Sequence, residues 1–295
     1  MKYISAQPQT IYYAWQVDTM IHSFLKNNVR EQDIIILLAD EGSDGFNKVI
    51  DKYPNVEFLS YPNYSDKNYA PAIKPYLMWQ YFKSCKCKSD EQYFYCDADV
   101  ILTKPLPDFD RSYCYVSDTV SYLGYDYIIS KGEEVLDLMC DVVKIDKNII
   151  KNKQEQSGGA QYVFSGTNAR FWEKAYKDSI GLFKALSEYN SNNQERYKDT
   201  YPIQAWTAEM WATTWAFWKS GIKTKVVSEM DFAWSTDMYQ KLKDVKILHN
   251  AGVGGNHKQF FKKFEWTRSY PKLDLKVSNK HCSHYYYEQV KESLC

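Results

Sequence analysis

The run Tyr93-Phe94-Tyr95-Cys96-Asp97-Ala98-Asp99-Val100-Ile101-Leu102 decides how the rest of the chain is read. An aromatic, apolar segment ends in two aspartates separated by one small residue, then turns apolar again. Two ionised carboxylates cannot lie unpaired inside a packed strand, because each loses its hydration there. They belong at a strand end, at a bend or against a cation. At the carboxyl edge of an α/β sheet such a pair faces the crevice where ligands bind. Two carboxylates one residue apart can share a hard divalent ion, Mg²⁺ or Mn²⁺, and that ion can bridge a diphosphate. Taken alone, the pattern also fits a solvated turn.

On the N-terminal side, Lys2 to Ala6 reads as a strand, and Tyr12 to Lys26 as a helix with Trp15, Thr19, Met20 and Phe24 at helical spacing. Asp33 to Ala39 is a continuous apolar run of the kind found in parallel strands covered on both faces. A loop at 40–45, a short helix from Phe46 to Lys52 and a strand from Val56 to Leu59 complete a βαβαβ order. That order predicts an α/β, Rossmann-like fold with a mostly parallel central sheet. After a polar loop from Tyr61 to Asn68, the segment Ala70 to Phe82 reads as a helix with proline in its first turn. Lys74 near its start is a candidate phosphate contact, or an ordinary solvated lysine.

On the C-terminal side, Tyr113 to Ser117 reads as a strand, Gly132 to Ile145 as amphipathic, and Lys147 to Gln156 as a charged connection. Gly158-Gly159-Ala160-Gln161 then leads into a strand; paired glycines permit close backbone approach to a ligand, as they do a tight turn. Asn168 to Tyr189 reads as a long helix capped by Asn168, and Trp206 to Trp218 as a helix capped by Thr207. Its tryptophans suit a core or a sugar platform. Glu209 in its first turn suits the helix dipole, or a role as general base. Strands at Lys223 to Ser228 and Val245 to Leu248 follow, the second leading into His249-Asn250-Ala251-Gly252. An imidazole at a strand end can join two carboxylates on Mn²⁺, which accepts nitrogen more readily than Mg²⁺ does. Gly252-Val253-Gly254-Gly255 supplies a loop able to close over phosphate oxygens.

The formal net charge of +0 creates no global field toward nucleic acid or membrane. Aromatic residues reach 17% of 295, which suits stacking on sugars or bases and equally a Tyr-rich background. No apolar run approaches the roughly 20 residues of a membrane helix, so a cytoplasmic chain is expected. The seven cysteines, including Cys85 and Cys87, form no C-x-x-C pair, and free thiols are expected. His281-Cys282-Ser283-His284 lacks a second half for a zinc site.

Three separated elements, Asp97/Asp99, Gly158 to Tyr162 and His249, together resemble metal-dependent glycosyltransferases of the GT-A fold. The resemblance is nearest to hydroxyproline O-arabinosyltransferase-like and serine galactosyltransferase-like proteins. It implies that Asp97, Asp99 and His249 hold Mn²⁺ or Mg²⁺ on a nucleotide-sugar diphosphate, with a UDP-sugar as donor. It implies donor contacts from Lys74, Asp97, Gly158, Gly159, Gln161 and Gly252, and Glu209 as general base if configuration inverts or as a group that orients the sugar if it is retained. His249 to Lys258 is similar to a His-x-x-Gly…Lys element whose lysine touches the diphosphate, although Lys258 stands further from the glycine than in the family. The resemblance spans 1–258 as a GT-A domain, with 259–295 as a basic and aromatic extension packed on it. Those relatives act in the secretory pathway, whereas this sequence shows no signal segment. Bacteriophage GT-A-like enzymes modify DNA by glycosylating its hydroxymethylated pyrimidines. The alternation of cations and rings from Lys258 to Lys276 suits that acceptor. A glycan, lipid-linked or protein hydroxyl is the alternative acceptor. A metal-dependent nucleotidyltransferase and a non-catalytic carbohydrate-binding module are the rival functions.

Overall fold

The computed structural model of the chain describes residues 1–84, 91–254 and 258–295. Cys85, Cys87 and Gly255, singled out above, lie outside the described residues. In chain order the elements are β1 (Lys2–Pro8), α1 (Ile11–Lys26), β2 (Ile34–Asp40), α2 (Asn47–Lys52), β3 (Glu57–Pro62), α3 (Ile73–Lys83), β4 (Tyr93–Tyr95) and β5 (Val100–Leu102). Then come β6 (Cys114–Asp118), α4 (Val120–Leu123), α5 (Tyr125–Ile129), α6 (Glu133–Val143), α7 (Lys147–Asn152), β7 (Gly158–Phe164) and α8 (Ala169–Asn192). The chain closes with α9 (Ala208–Lys219), β8 (Thr224–Val226), β9 (Phe232–Trp234), β10 (Ile247–His249) and α10 (Cys282–Leu294). The main sheet is mostly parallel and its strands divide between two units of the chain.

The first unit comprises residues 1–63, 93–109 and 228–295. Its share of the main sheet runs β3-β2-β1-β4, every neighbour parallel. Ile34 to Ala39 is buried throughout, as an apolar run covered on both faces must be. A second, three-stranded sheet runs β5-β10-β9, with β10 antiparallel to β5 and parallel to β9. Trp15 of α1, Ile101, Leu248, Phe261 and Tyr286 of α10 share one core. Burying a phenylalanine such as Phe261 contributes roughly 2–3 kcal/mol, so residues 259–295 are held by their own apolar contacts.

The second unit comprises the described residues among 64–92, with 110–227. Its strands run β7-β6-β8, and a core of Trp211, Trp215, Leu182, Leu136 and Tyr69 joins α9 to α8 and α6. Trp211, Trp215 and Trp218 are core residues, while Trp206 is 62% exposed. Asn168 caps α8 as its sequence predicts, accepting from the Phe171 N–H at 3.0 Å. Thr207 does not cap α9: its hydroxyl donates to the Gln204 carbonyl at 2.8 Å instead. The charged connection after Lys147 contains α7, because Asp146 accepts from the Asn148 N–H at 2.8 Å and starts a turn.

Candidate functional site

β4 ends at Tyr95, and the chain turns before resuming as β5 in the other sheet of the first unit. Asp97 and Asp99 sit on that turn, closed by the Val100 N–H donating to the Asp97 carbonyl at 3.1 Å. The aspartates therefore occupy the break between two buried strands. Register then brings the third group in: His249, last residue of β10, lies opposite Val100 of β5. The Asn250 N–H donates to the Asp99 carbonyl at 2.9 Å and locks that alignment.

The His249 Nε2 is 3.2 Å from Asp99 Oδ1 and 4.0 Å from Asp97 Oδ2. One ligand atom from each of the three residues lies within 4.8 Å of the others. Among the described residues this is the only such group of three. Asp99 and His249 are buried, while Asp97 stays partly open. On β9, Trp234 lies opposite His249, and its ring stacks on the imidazole at 5.8 Å and 13°. The buried His249 Nδ1 has no hydrogen-bond partner among the described residues.

Sequence reasoning passed over one residue of this group. The ammonium of Lys263 forms an ion pair with Asp99 Oδ2. Burial alone would raise the Asp99 carboxyl, but the Lys263 charge and the His249 imidazole override it, holding that carboxyl far below the usual carboxylate range. Lys258 is exposed and makes no hydrogen bond or ion pair among the described residues. The available signal was a second lysine further along the same basic segment. Two carboxylates and an imidazole so close together fit a divalent cation by number and by chemistry. Gly252 leaves the strand at φ 74°, a left-handed turn that favours glycine, with open space around it.

In the second unit the structure brings Lys74 and Glu209 together. The Lys74 ammonium, from the first turn of α3, pairs with Glu209 Oε1 in the first turn of α9. The Glu209 N–H donates to the Tyr69 hydroxyl at 2.9 Å, and that hydroxyl donates to the Trp206 carbonyl at 2.7 Å. Tyr69 thus satisfies an amide at the helix start that Thr207 leaves alone. Nothing in the spacing of Tyr69 and Glu209 announces this contact.

Gly158 and Gly159 lie in β7 rather than in a loop. A Cβ at Gly158 would stand 2.0 Å from Val116 Cγ2, and one at Gly159 would stand 2.5 Å from the Met210 methyl. Packing against β6 therefore demands glycine at 158, while at 159 the flexible Met210 side chain of α9 would have to move aside. Register slips between Val116, opposite Tyr162, and Ser117, opposite Gly159. Ala160 and Gln161 are the extra residues of that bulge, and Ala160 takes φ 63°. A left-handed non-glycine residue at a bulge is held there by its surroundings, and such strain concentrates at functional sites. Gln161 is fully buried beside it. Burial pushes the Tyr162 phenol well above its ordinary value, and the nearby Glu209 charge adds to the effect.

No protein-family model matches the chain, and no curated protein matches it in sequence. Solved structures do. The chain overlays the apo structure of the bifunctional glycosyltransferase WbbM with a TM-score of 0.50 at 10% identity, using 100% of its own length and 49% of that chain. It therefore spans about half of that enzyme. The galactosyltransferase LgtC, solved with donor and acceptor sugar analogues, gives a TM-score of 0.49 at 13% identity over 99% of this chain and 96% of that one. The glycosyltransferase GlyE of Streptococcus pneumoniae TIGR4 gives 0.45 at 9% over 98% and 60%. The fold assignment rests on the first of these: the chain has the GT-A fold of glycosyltransferases. No helix among the described residues is long and apolar enough to cross a membrane.

Proposed function

We propose that the chain is a metal-dependent glycosyltransferase that moves a sugar from a nucleotide-sugar donor, a UDP-sugar, to a hydroxyl acceptor. The observation that carries this is the convergence of Asp97, Asp99 and His249 at strand ends in a GT-A fold. The mixed oxygen and nitrogen donor set supports Mn²⁺ over Mg²⁺. When bound, the cation would neutralise charge on the departing diphosphate.

The other steps belong to the chain's own residues. Trp234 and Asn250 hold His249 and Asp99 in place. Lys263 supplies a positive charge at the centre for phosphate oxygens, and Lys258 is free to add a second. Gly158, Gly159 and Gln161 form the donor-sugar wall on β7, and Gly252 the turn beside the diphosphate. Glu209, positioned by Lys74 and Tyr69, acts on the acceptor hydroxyl. Residues 1–258 carry this machinery, with Lys263 added to it from the C-terminal extension.

For the acceptor we propose hydroxymethylated pyrimidine in DNA. The fold divides the basic and aromatic tail, turning Phe261 into the core and Lys263 to Asp99 while Lys258, Phe264, Arg268, Lys272 and Lys276 stay exposed. Those exposed cations and ring support the nucleic-acid reading. The test is incubation with Mn²⁺ and a panel of nucleotide sugars. Released nucleoside diphosphate is expected; pyrophosphate would identify a nucleotidyltransferase, and no turnover a binding module. Labelled sugar offered with DNA containing 5-hydroxymethylcytosine or 5-hydroxymethyluracil then tests the acceptor. Transfer to a saccharide with both DNAs unlabelled would exclude it.

A further inference from the structure

We propose that an open cavity in the second unit, between the start of α8 and the end of α9, binds a phosphate group, free or carried on a small molecule. The cavity measures about 630 Å³ and is lined by Arg170, Lys174, Lys177 and Lys219, with Glu173 as its one acidic residue. Lys219 stands ten positions after Glu209 on α9, roughly 15 Å along the helix, so the cavity shares no residue with the proposed transfer site.

The charges there do not cancel. Lys177 pairs with Glu173 at 2.7 Å, and Lys174 pairs with the buried Asp178. Lys219 forms no ion pair among the described residues: it donates to Val143 O at 2.7 Å, and Lys174 donates to the same oxygen at 3.3 Å. Val143 ends α6, where a helix dipole welcomes one cation. The second ammonium on that oxygen is like-charge crowding the helix end does not require. Burial, and then the Lys174 charge, push the Lys219 ammonium below its ordinary value and outweigh the opposing pull of the Asp178 carboxylate. Arg170 makes no hydrogen bond or ion pair among the described residues. A guanidinium with no ion pair and an ammonium with none of its own among the described residues, facing one cavity, match the several oxygens and multiple charge of phosphate. The cavity volume falls in the roughly 300–1,000 Å³ range of small-molecule sites. Ala216 and Ile222 give an apolar wall for an organic moiety.

The experiment is calorimetry on the full chain in EDTA at low salt, titrating AMP and inorganic phosphate in parallel. Binding is expected in the unsubstituted protein and, unchanged, in Asp97→Asn. The Arg170→Gln/Lys219→Gln pair is expected to weaken it by about tenfold or more, the effect of losing a hydrogen bond to charge. Arg170→Glu alone, at an exposed residue with no partner to disturb, should do the same and covers the case in which the double variant folds poorly. Tighter binding of AMP than of phosphate would assign the apolar wall to an ester's organic part, and equal binding would assign the site to free phosphate. No binding at millimolar ligand, undiminished binding in Arg170→Glu, or loss of binding in Asp97→Asn would overturn the proposal.

Discussion

The Asp97 centre and the Lys74–Glu209 pair are both charged groups gathered in the interior, one in each unit, and they are balanced differently. In the second unit one ammonium meets one carboxylate, and Tyr69 completes the helix end beside them. In the first, two carboxylates and an imidazole converge with a single lysine. That pair ties the first turn of α3 to the first turn of α9 whether or not a ligand arrives. Two carboxylates beside an imidazole also offer a set of ligand atoms that a divalent cation can take up.

The sharpest way to break this contrast is at the aspartates. Asp97→Asn or Asp99→Asn should reduce transfer by about three orders of magnitude or more, roughly 4 kcal/mol of transition-state stabilisation, with the circular dichroism spectrum unchanged. Full activity in either variant would remove the metal assignment. Removing the carboxylate from the Lys74–Glu209 pair should lower stability as well as transfer. Glu209→Gln breaks the ion pair with Lys74 and is expected to cost about 3 kcal/mol in urea unfolding. Replacing both partners, as Lys74→Met/Glu209→Leu, should recover most of that loss. If Asp97→Asn proved the more destabilising of the two, the contrast would be inverted.

A smaller effect is expected at the third ligand. His249→Ala should weaken Mn²⁺ binding by at least about tenfold, read by calorimetry in the presence of nucleoside diphosphate; unchanged affinity would take His249 out of the centre. The smallest effect is the acid limb of stability. The Asp99 carboxyl is depressed in the folded chain, so its stabilisation is complete above the unfolded value near pH ~4 and is lost as pH falls below it. Asp99→Asn should therefore flatten unfolding midpoints below about pH 4 while leaving their slope above pH 5 as it was. An unaltered acid limb would mean that the ion pair with Lys263 contributes nothing.

The α/β class and the place of the acid pair were legible because both follow from local pattern. Ile34 to Ala39 is continuously apolar, so it had to be a strand covered on both faces, and two adjacent charges had to interrupt whatever strand Tyr93 began. Asn168 was legible for the same reason, since a cap is a contact over three residues. Thr207 was misread because Tyr69, 138 positions earlier, satisfies the end of α9 instead. The paired glycines were legible as a close approach, but what approaches is Val116 and Met210.

By itself the sequence determined the periodicity of its strands and helices, the chemical types able to hold a cation, and their order along the chain. Tertiary structure alone decided that Asp97, Asp99 and His249 meet, because the register of β10 on β5 is a long-range pairing that no local pattern encodes. It likewise chose Lys263 rather than Lys258 for Asp99, and Lys74 as the partner of Glu209. Charge pairing in an interior is set by which groups lose their water together, and only the folded chain determines that.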